Sequence, residues 1–448
     1  MKYYSTKNRN SHLVSLKEAV LKGLPDDNGL YMPTQIKQLS NDFYKNISSF
    51  SFQEMAYQIL SCFEMENEIA TQKLHEIINN SLNFDAPIKN LDNKTGVLEL
   101  FHGNTLAFKD FGARFMAQLM SYFVADIDKK LHILVATSGD TGSAVAHGFL
   151  GIPNITVTVL YPSGKVSKRQ EKQFATLGKN ITSLEIDGTF DDCQALVKTA
   201  FLDKDLNEKL YLSSANSINI ARLIPQSFYY FRAYQQTLQY GLPLVFVVPS
   251  GNFGNLTAGL FAKKMGLPIK HFVAATNAND IIPKYLATGI YKPRASIQTI
   301  SNAMDVGNPS NFTRMLDLYD NNLEAMCRDI SGFVCDETTT RRMIREIKQQ
   351  FDYVIEPHSA VGFAALQQYR EQNYQQDYQQ DYQQNGDNFY GIVLGTAHPA
   401  KFNEVVEQEI QQEIPLPEQL GRYIDKPTLS IKLQTDFQGF KDFLLATK

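Results

Sequence analysis

A chain of 448 residues is long enough for two or three domains with real cores, and its 43% hydrophobic and 20% charged residues suit a water-soluble globular protein. Its 43 basic and 47 acidic side chains are spread along the sequence for a net charge of -4, which gives no electrostatic case for nucleic acid or an anionic membrane. Four scattered cysteines (Cys62, Cys193, Cys327, Cys335) with no CxxC pair, a polar first ten residues and no apolar run near the ~20 residues of a membrane span argue against a disulfide framework, a zinc site, a secretory signal and a membrane protein, and point to the cytoplasm.

Residues 1–95 read as a helical accessory domain. Ser15-Leu-Lys-Glu18 and Ser51-Phe-Gln-Glu54 fit the capping box, and each precedes apolar positions at helical spacing. Leu24-Pro-Asp-Asp-Asn-Gly29 between them is turn chemistry, and a third helix is predicted over 71–82. No chemistry is visible here.

The stretch Leu100-Phe-His-Gly-Asn-Thr-Leu-Ala-Phe-Lys-Asp-Phe-Gly112 sets Lys109 among apolar and aromatic neighbours. Taking an ammonium out of water is costly unless it is paired or deprotonated, and the second outcome makes lysine a nucleophile able to form a Schiff base. Lys109 could equally lie at a helix start and pair with Asp110.

From residue 131 the texture becomes short β-branched runs alternating with helical segments. Runs at 132–136, 155–161 and 181–186 form one set; 244–248 and 269–275 open a second, resumed at 389–394. Such alternation predicts parallel sheets built from βα units. A long helix is predicted over 218–240, others over 256–265, 313–320 and 338–351, and one from Glu356-Pro-His-Ser359 to about 370. The tandem Tyr-Gln-Gln-Asp repeat at 374–384 has no apolar face to bury and reads as an expanded loop or helix extension without a chemical role. A short strand and a helix from about 437 close the chain.

Several strand ends carry candidate chemistry. Ser250-Gly-Asn-Phe-Gly-Asn255 between a strand and a helix suits an anion, since glycines admit close approach and a helix start offers free N–H groups; an ordinary tight βα turn has similar composition. Ser138-Gly-Asp-Thr-Gly142 could receive a carboxylate or a second phosphate, although Asp140 could instead cap a helix. Thr396, in Gly395-Thr396, ends a late strand. His102, His358 and His398 share no metal-ligand spacing and read as hydrogen-bonded structural histidines; no metal is expected. GxGxxG after the first strand, GxxxxGK[ST], HExxH and GxSxG are all absent. A lysine in an apolar niche, a phosphate cup, a carboxylate loop and a strand-end hydroxyl together match the needs of pyridoxal 5′-phosphate (PLP).

The same motifs resemble those of threonine synthases, in the PLP fold-type II group. The resemblance covers nearly the whole chain: Met1-Lys-Tyr-Tyr-Ser-Thr6, Gly29-Leu-Tyr-Met-Pro33, His102 to Asp110, Ser250 to Asn255, Ser301-Asn-Ala-Met-Asp305, Pro309-Ser-Asn-Phe312 and Thr396-Ala-His-Pro-Ala-Lys-Phe402. Asn104 stands where the family usually has proline, and Glu356-Pro-His-Ser359 where Asp-Pro-His-Thr is usual. The resemblance implies two parallel-sheet α/β domains around a cofactor cleft: a large one from 96–112 and 214–448, with the low-complexity insertion at 372–388, and a smaller mobile one at 113–213. It implies Lys109 as the covalent cofactor lysine, Gly251, Asn252, Phe253 and Asn255 around the cofactor phosphate, and Thr396 donating a hydrogen bond to the pyridine nitrogen. Ser138, Asp140, Thr141 and Arg222 are expected toward the substrate, Arg222 at its phosphate because guanidinium geometry suits that group. The implied reaction converts O-phospho-L-homoserine and water to L-threonine and phosphate. A monomer is expected ahead of a homodimer. A related fold-type II lyase or dehydratase, or a catalytically silent homologue that binds PLP or a phosphometabolite, remain alternatives.

Overall fold

The β-branched runs pair as parallel strands because most are apolar on both faces and need cover on both sides. The computed structural model describes residues 1–10, 12–379 and 388–446. Its strands are β1 (Tyr3–Ser5), β2 (Tyr31–Pro33), β3 (Ile88–Asn90), β4 (Thr95–Glu99), β5 (Leu131–Ala136), β6 (Ile155–Pro162), β7 (Ile181–Ile186), β8 (Tyr211–Ser214), β9 (Leu244–Pro249), β10 (Ile269–Thr276), β11 (Ile330–Val334), β12 (Tyr390–Gly395) and β13 (Ile431–Leu433). A six-stranded sheet has the order β11-β10-β9-β12-β4-β3 and a five-stranded sheet the order β13-β7-β6-β5-β8. Every neighbouring pair in them is parallel except β3 with β4.

The accessory region is less purely helical than its capping signals suggest. Its helices are there, and Ser51 and Glu54 form a complete capping box, but β1 and β2 make an antiparallel ribbon and β3 joins the six-stranded sheet. The helix expected over 218–240 is broken into Ile220–Leu223, a 3-10 turn Ile224–Ser227 and Phe228–Thr237. Pro225 explains the break, having no N–H to continue a helix and being tolerated only in a first turn. The helix from Pro357 runs on to Gln379, past the expected end and into the repeat; the rest of the repeat lies outside the described residues.

The C-terminus corrects the expected domain map. Residues to 448 were assigned to the large body, yet β13 pairs with β7, and the helix Phe437–Ala446 buries Phe440 and Leu444 against Leu184, Ile186, Leu196 and Val197 of the five-stranded layer. The reason is apolar area: Phe440 and Leu444 join the helix Phe190–Leu202 in the cluster that buries Leu184 and Ile186 of β7. A single large cluster joins the accessory helices to apolar residues of both sheets, while a second covers the opposite side of the six-stranded sheet with Ile344, Val361 and Leu366.

Candidate active site

The carboxyl ends of β4, β9 and β12 from one sheet, and of β5 from the other, open on one cavity of about 640 Å³. Crevices at strand carboxyl ends are where open α/β sheets bind ligands.

Lys109 reaches it through a loop fixed at both edges. Leaving β4, Leu100 donates its N–H to Gly395 O (2.9 Å), Phe108 donates to Thr396 O (2.9 Å), and Leu106 O accepts from His398 N (3.0 Å). Leu106 takes a left-handed conformation, φ 58°. Within the loop Asp110 accepts from Thr105 N (2.8 Å) and Thr105 Oγ1 (2.7 Å). The ion pair of Lys109 with Asp110 considered from sequence therefore gives way to a buried Asp110–Thr105 clasp. Gly103 packs on that carboxylate, where a Cβ would come within 2.3 Å of Asp110 Oδ2. Lys109 then opens the helix Lys109–Val124 with its amine in the cavity. Burial lowers its pKa to about 8; nearby Arg222 and Lys401 lower it too, against the pull of Asp140.

The Ser250–Asn255 loop forms the second wall. Asn255 knits it internally, accepting from Ser250 Oγ (3.0 Å) and donating to Pro249 O (2.8 Å), and Asn252 donates to Ser217 Oγ (2.6 Å) and accepts from Ser310 N (2.6 Å). Both side chains are engaged, so what the loop offers an anion is backbone N–H at the start of the helix Gly254–Lys264, whose first turn has no intrahelical acceptors. Phe253 holds φ 59°, an outlier for a bulky residue. Gly251 lies so close to the neighbouring chain that a Cβ would sit 2.6 Å from Met304 Cα.

Thr396 lies at the end of β12. Its hydroxyl donates to Glu356 Oε1 over a long 3.4 Å, which leaves it able to rotate toward the cavity. Glu356 is fully buried and accepts more closely from Ser359 N (2.8 Å), Ser359 Oγ (2.6 Å), His358 N (2.6 Å) and His358 Nδ1 (2.5 Å). His358 Nε2 in turn accepts from Ala303 N (3.2 Å), so the imidazole is held at both ring nitrogens. His102 bonds to Glu99 (2.8 Å) and His398 accepts from Ala400 N (3.1 Å); all three histidines have structural partners.

Ser138, Asp140, Thr141 and Arg222 also line the cavity. Asp140 does not cap its helix, where Gly139 holds the N-cap position. Its carboxylate is committed elsewhere, accepting from Lys401 Nζ (2.6 Å) and Gln170 Nε2 (2.8 Å). Both bonds fall on Oδ1, and Asp140 keeps the place on the cavity wall expected of it. Arg222 donates through Nη1 to Ala215 O (2.5 Å), while its buried Nε has no acceptor among the described residues. Burial lowers its pKa to about 10. Sequence reasoning missed two groups here: Lys401, which pairs with the cavity-lining Asp140, and Asn302 on the cavity wall, whose buried Oδ1 also lacks a partner among the described residues. For Lys401 a signal existed, a lysine set between Pro399-Ala400 and Phe402 in the same apolar flanking that marks Lys109.

The residues present fit PLP. A desolvated amine, an anion-binding helix start, a strand-end hydroxyl and an arginine line one cavity large enough for the cofactor and a small amino acid.

A family model described as "Pyridoxal-phosphate dependent enzyme" matches residues 87–381. Models described as "Threonine synthase N terminus" and "Threonine synthase, C-terminal" match 2–82 and 359–444. A threonine synthase of Escherichia coli K12 is 45% identical over 446 residues, 99% of each chain. The crystal structure of a threonine synthase from Escherichia coli superposes with a TM-score of 0.89 at 44% identity, covering all of both chains. A PLP-bound threonine synthase from Brucella melitensis gives 0.89 at 32% identity, covering 99% of this chain and 98% of its own.

Proposed function

The chain belongs to the threonine synthase family, and from that premise we propose how its residues divide the work. It is a PLP-dependent enzyme that converts O-phospho-L-homoserine and water to L-threonine and phosphate. The observation that carries the site assignment is the buried Lys109 amine opening on the same cavity as the Gly251–Asn255 turn and Thr396.

Lys109 would hold the cofactor covalently, the backbone of Gly251, Asn252, Phe253 and Asn255 its phosphate, and Thr396 its ring nitrogen. PLP supplies an electron sink that lets protons leave the substrate's carbon atoms. Once displaced by the substrate amine, Lys109 Nζ accepts and returns protons at the substrate α and β carbons, a task suited to an amine that titrates near neutrality. Phosphate departs from the γ carbon, which then takes up a proton to become the methyl group, and water adds its hydroxyl at the β carbon. Arg222 orients the substrate phosphate with its guanidinium, and Ser138 and Thr141 receive the carboxylate with hydroxyl or backbone donors.

Incubating purified protein with PLP and phosphohomoserine and assaying both products tests the reading. Threonine and phosphate in equal amounts are expected; 2-oxobutanoate in place of threonine would mark a lyase instead. We propose also that the protein acts in the cytoplasm as a monomer, in keeping with four unpaired cysteines of which Cys62, Cys193 and Cys335 are buried; a sedimentation run giving twice the chain mass would replace monomer with dimer. The layer built on the five-stranded sheet is proposed to move toward the larger body on substrate binding. Slower hydrogen exchange in the helix Lys168–Ala175 with substrate is the expected sign, and unchanged exchange would count against it.

A further inference from the structure

Lys401 is fully buried, and its ammonium has two close partners: Asp140 Oδ1 at 2.6 Å and the carbonyl of Thr105 at 2.7 Å. These three residues come from three places. Asp140 begins the helix that follows β5 of the five-stranded sheet, Lys401 lies in the 3-10 turn Pro399–Phe402 after β12 of the six-stranded sheet, and Thr105 belongs to the loop that presents Lys109. Backbone contacts reinforce the junction, with Ser167 Oγ donating to Lys401 O (3.2 Å) and Arg169 Nη1 to Ala400 O (2.6 Å).

A buried ion pair is a weak source of stability, because desolvating two charges cancels most of their attraction. Its position explains more. Asp140 lines the cavity beside the Lys109 amine, and an unpaired carboxylate there would draw a proton onto that amine and hold it as an inert ammonium. We propose that Lys401 is a positioning residue for the reaction: by bridging Asp140 to the Thr105 carbonyl it neutralises the carboxylate beside Lys109 and so raises the share of that amine in its reactive, uncharged form when the two layers are together. The proposal rests on Lys109 being the cofactor lysine.

Charges reach Lys109 from three elements: Asp140 from the helix after β5, Arg222 from Ile220–Leu223, and Lys401 from the turn after β12. Asp305 and His358 line the cavity, and Lys7, Asp191 and Lys198 lie elsewhere on its wall. Against that background the two partners have opposite effects, which a purely structural role does not produce. Losing Lys401 exposes Lys109 to an uncompensated anion; losing Asp140 leaves it beside an uncompensated cation.

The experiment uses PLP-free protein. Covalent labelling of Lys109 by fluorodinitrobenzene, followed by peptide mass spectrometry, and the rate of PLP capture by absorbance are measured from pH 6 to 10. In Lys401→Met the labelling midpoint should rise by about one pH unit, so about tenfold less free amine is present at neutral pH. In Asp140→Asn it should fall, and in the double variant Lys401→Met/Asp140→Asn it should return toward the parental value. Should Lys401→Met fail to fold, the other two variants, which carry no unpaired carboxylate, still decide the matter. An unchanged midpoint in folded Lys401→Met, or shifts of the same sign in both single variants, overturns the proposal. If the parental protein captures no PLP on Lys109, the assignment of that lysine falls instead.

Discussion

The backbone N–H of Phe108 donates to the carbonyl of Thr396 at 2.9 Å, so the residue preceding the proposed cofactor lysine is stapled to the residue proposed to face the cofactor ring. The staple is main chain to main chain, and Ala107 and Ala397 extend it as an isolated antiparallel bridge. Thr396→Ala should therefore leave the loop in place and isolate the hydroxyl. We expect kcat to fall about tenfold, the worth of one hydrogen bond, with the thermal midpoint nearly unchanged. A large loss of stability would show instead that the hydroxyl's bond to Glu356 is structural.

Lys109→Ala removes both the covalent hold on the cofactor and the proposed proton carrier. Threonine formation should drop by about 10³-fold or more while circular dichroism stays parental. Turnover near the parental rate would remove Lys109 from the mechanism.

The pH dependence has a definite sign. Folding lowers the pKa of Lys109 from 10.5 to about 8, so the native PLP-free protein binds fewer protons than the unfolded chain between those values. The penalty of burying the ammonium is complete below pH 8 and is relieved as pH climbs to 10.5. Lys109→Met should thus stabilise the PLP-free protein at pH 7 and show a diminishing benefit by pH 10, read from denaturant midpoints. PLP capture by the parental protein should rise with pH and level off above about 8.

Gly251→Ala places a Cβ against the main chain of Met304, which cannot yield as a side-chain tip would. The loop must shift, and with it the N–H groups proposed for the cofactor phosphate. PLP affinity should weaken about tenfold or more by fluorescence titration, with little change in affinity for pyridoxal, which lacks the phosphate.

Phe440→Ala tests the C-terminal cover of the smaller sheet. Its side chain is fully buried, and truncating a buried phenylalanine costs about 3–5 kcal/mol. Denaturant unfolding should report that loss, and a neutral outcome would detach the last helix from the core.

Elements with strong local signals were legible in the sequence. β5, β6, β7 and β9 are runs of apolar, β-branched residues, and the predicted boundaries agree with the observed ones within a residue or so. β8 and β11 escaped because Tyr211-Leu-Ser-Ser214 and Ile330-Ser-Gly-Phe-Val334 are short, mixed in polarity and strands only by virtue of their neighbours. In the site, Lys109, the Ser250–Asn255 turn and Thr396 were visible because glycine, asparagine and an ill-placed lysine carry chemical meaning locally. The apolar flanking of Lys401 was readable but its pairing was not: its partners Asp140 and Thr105 lie 261 and 296 positions away in the chain, and no local pattern announces a pairing made by tertiary structure.

The order of the strands also governs when this protein can become whole. β4 gains its central neighbour only when β12 exists, and β7 gains its outer neighbour only with β13, so both layers wait for residues beyond 390. A ribosome will have emitted Lys109 long before the segments that wall it in. Until those strands are made, the nascent chain carries unpaired β edges, which are prone to wrong association. Vitamin loading is thereby expected only once β12 has been made, and a chain cut short before residue 390 should be held by chaperones and cleared by proteases.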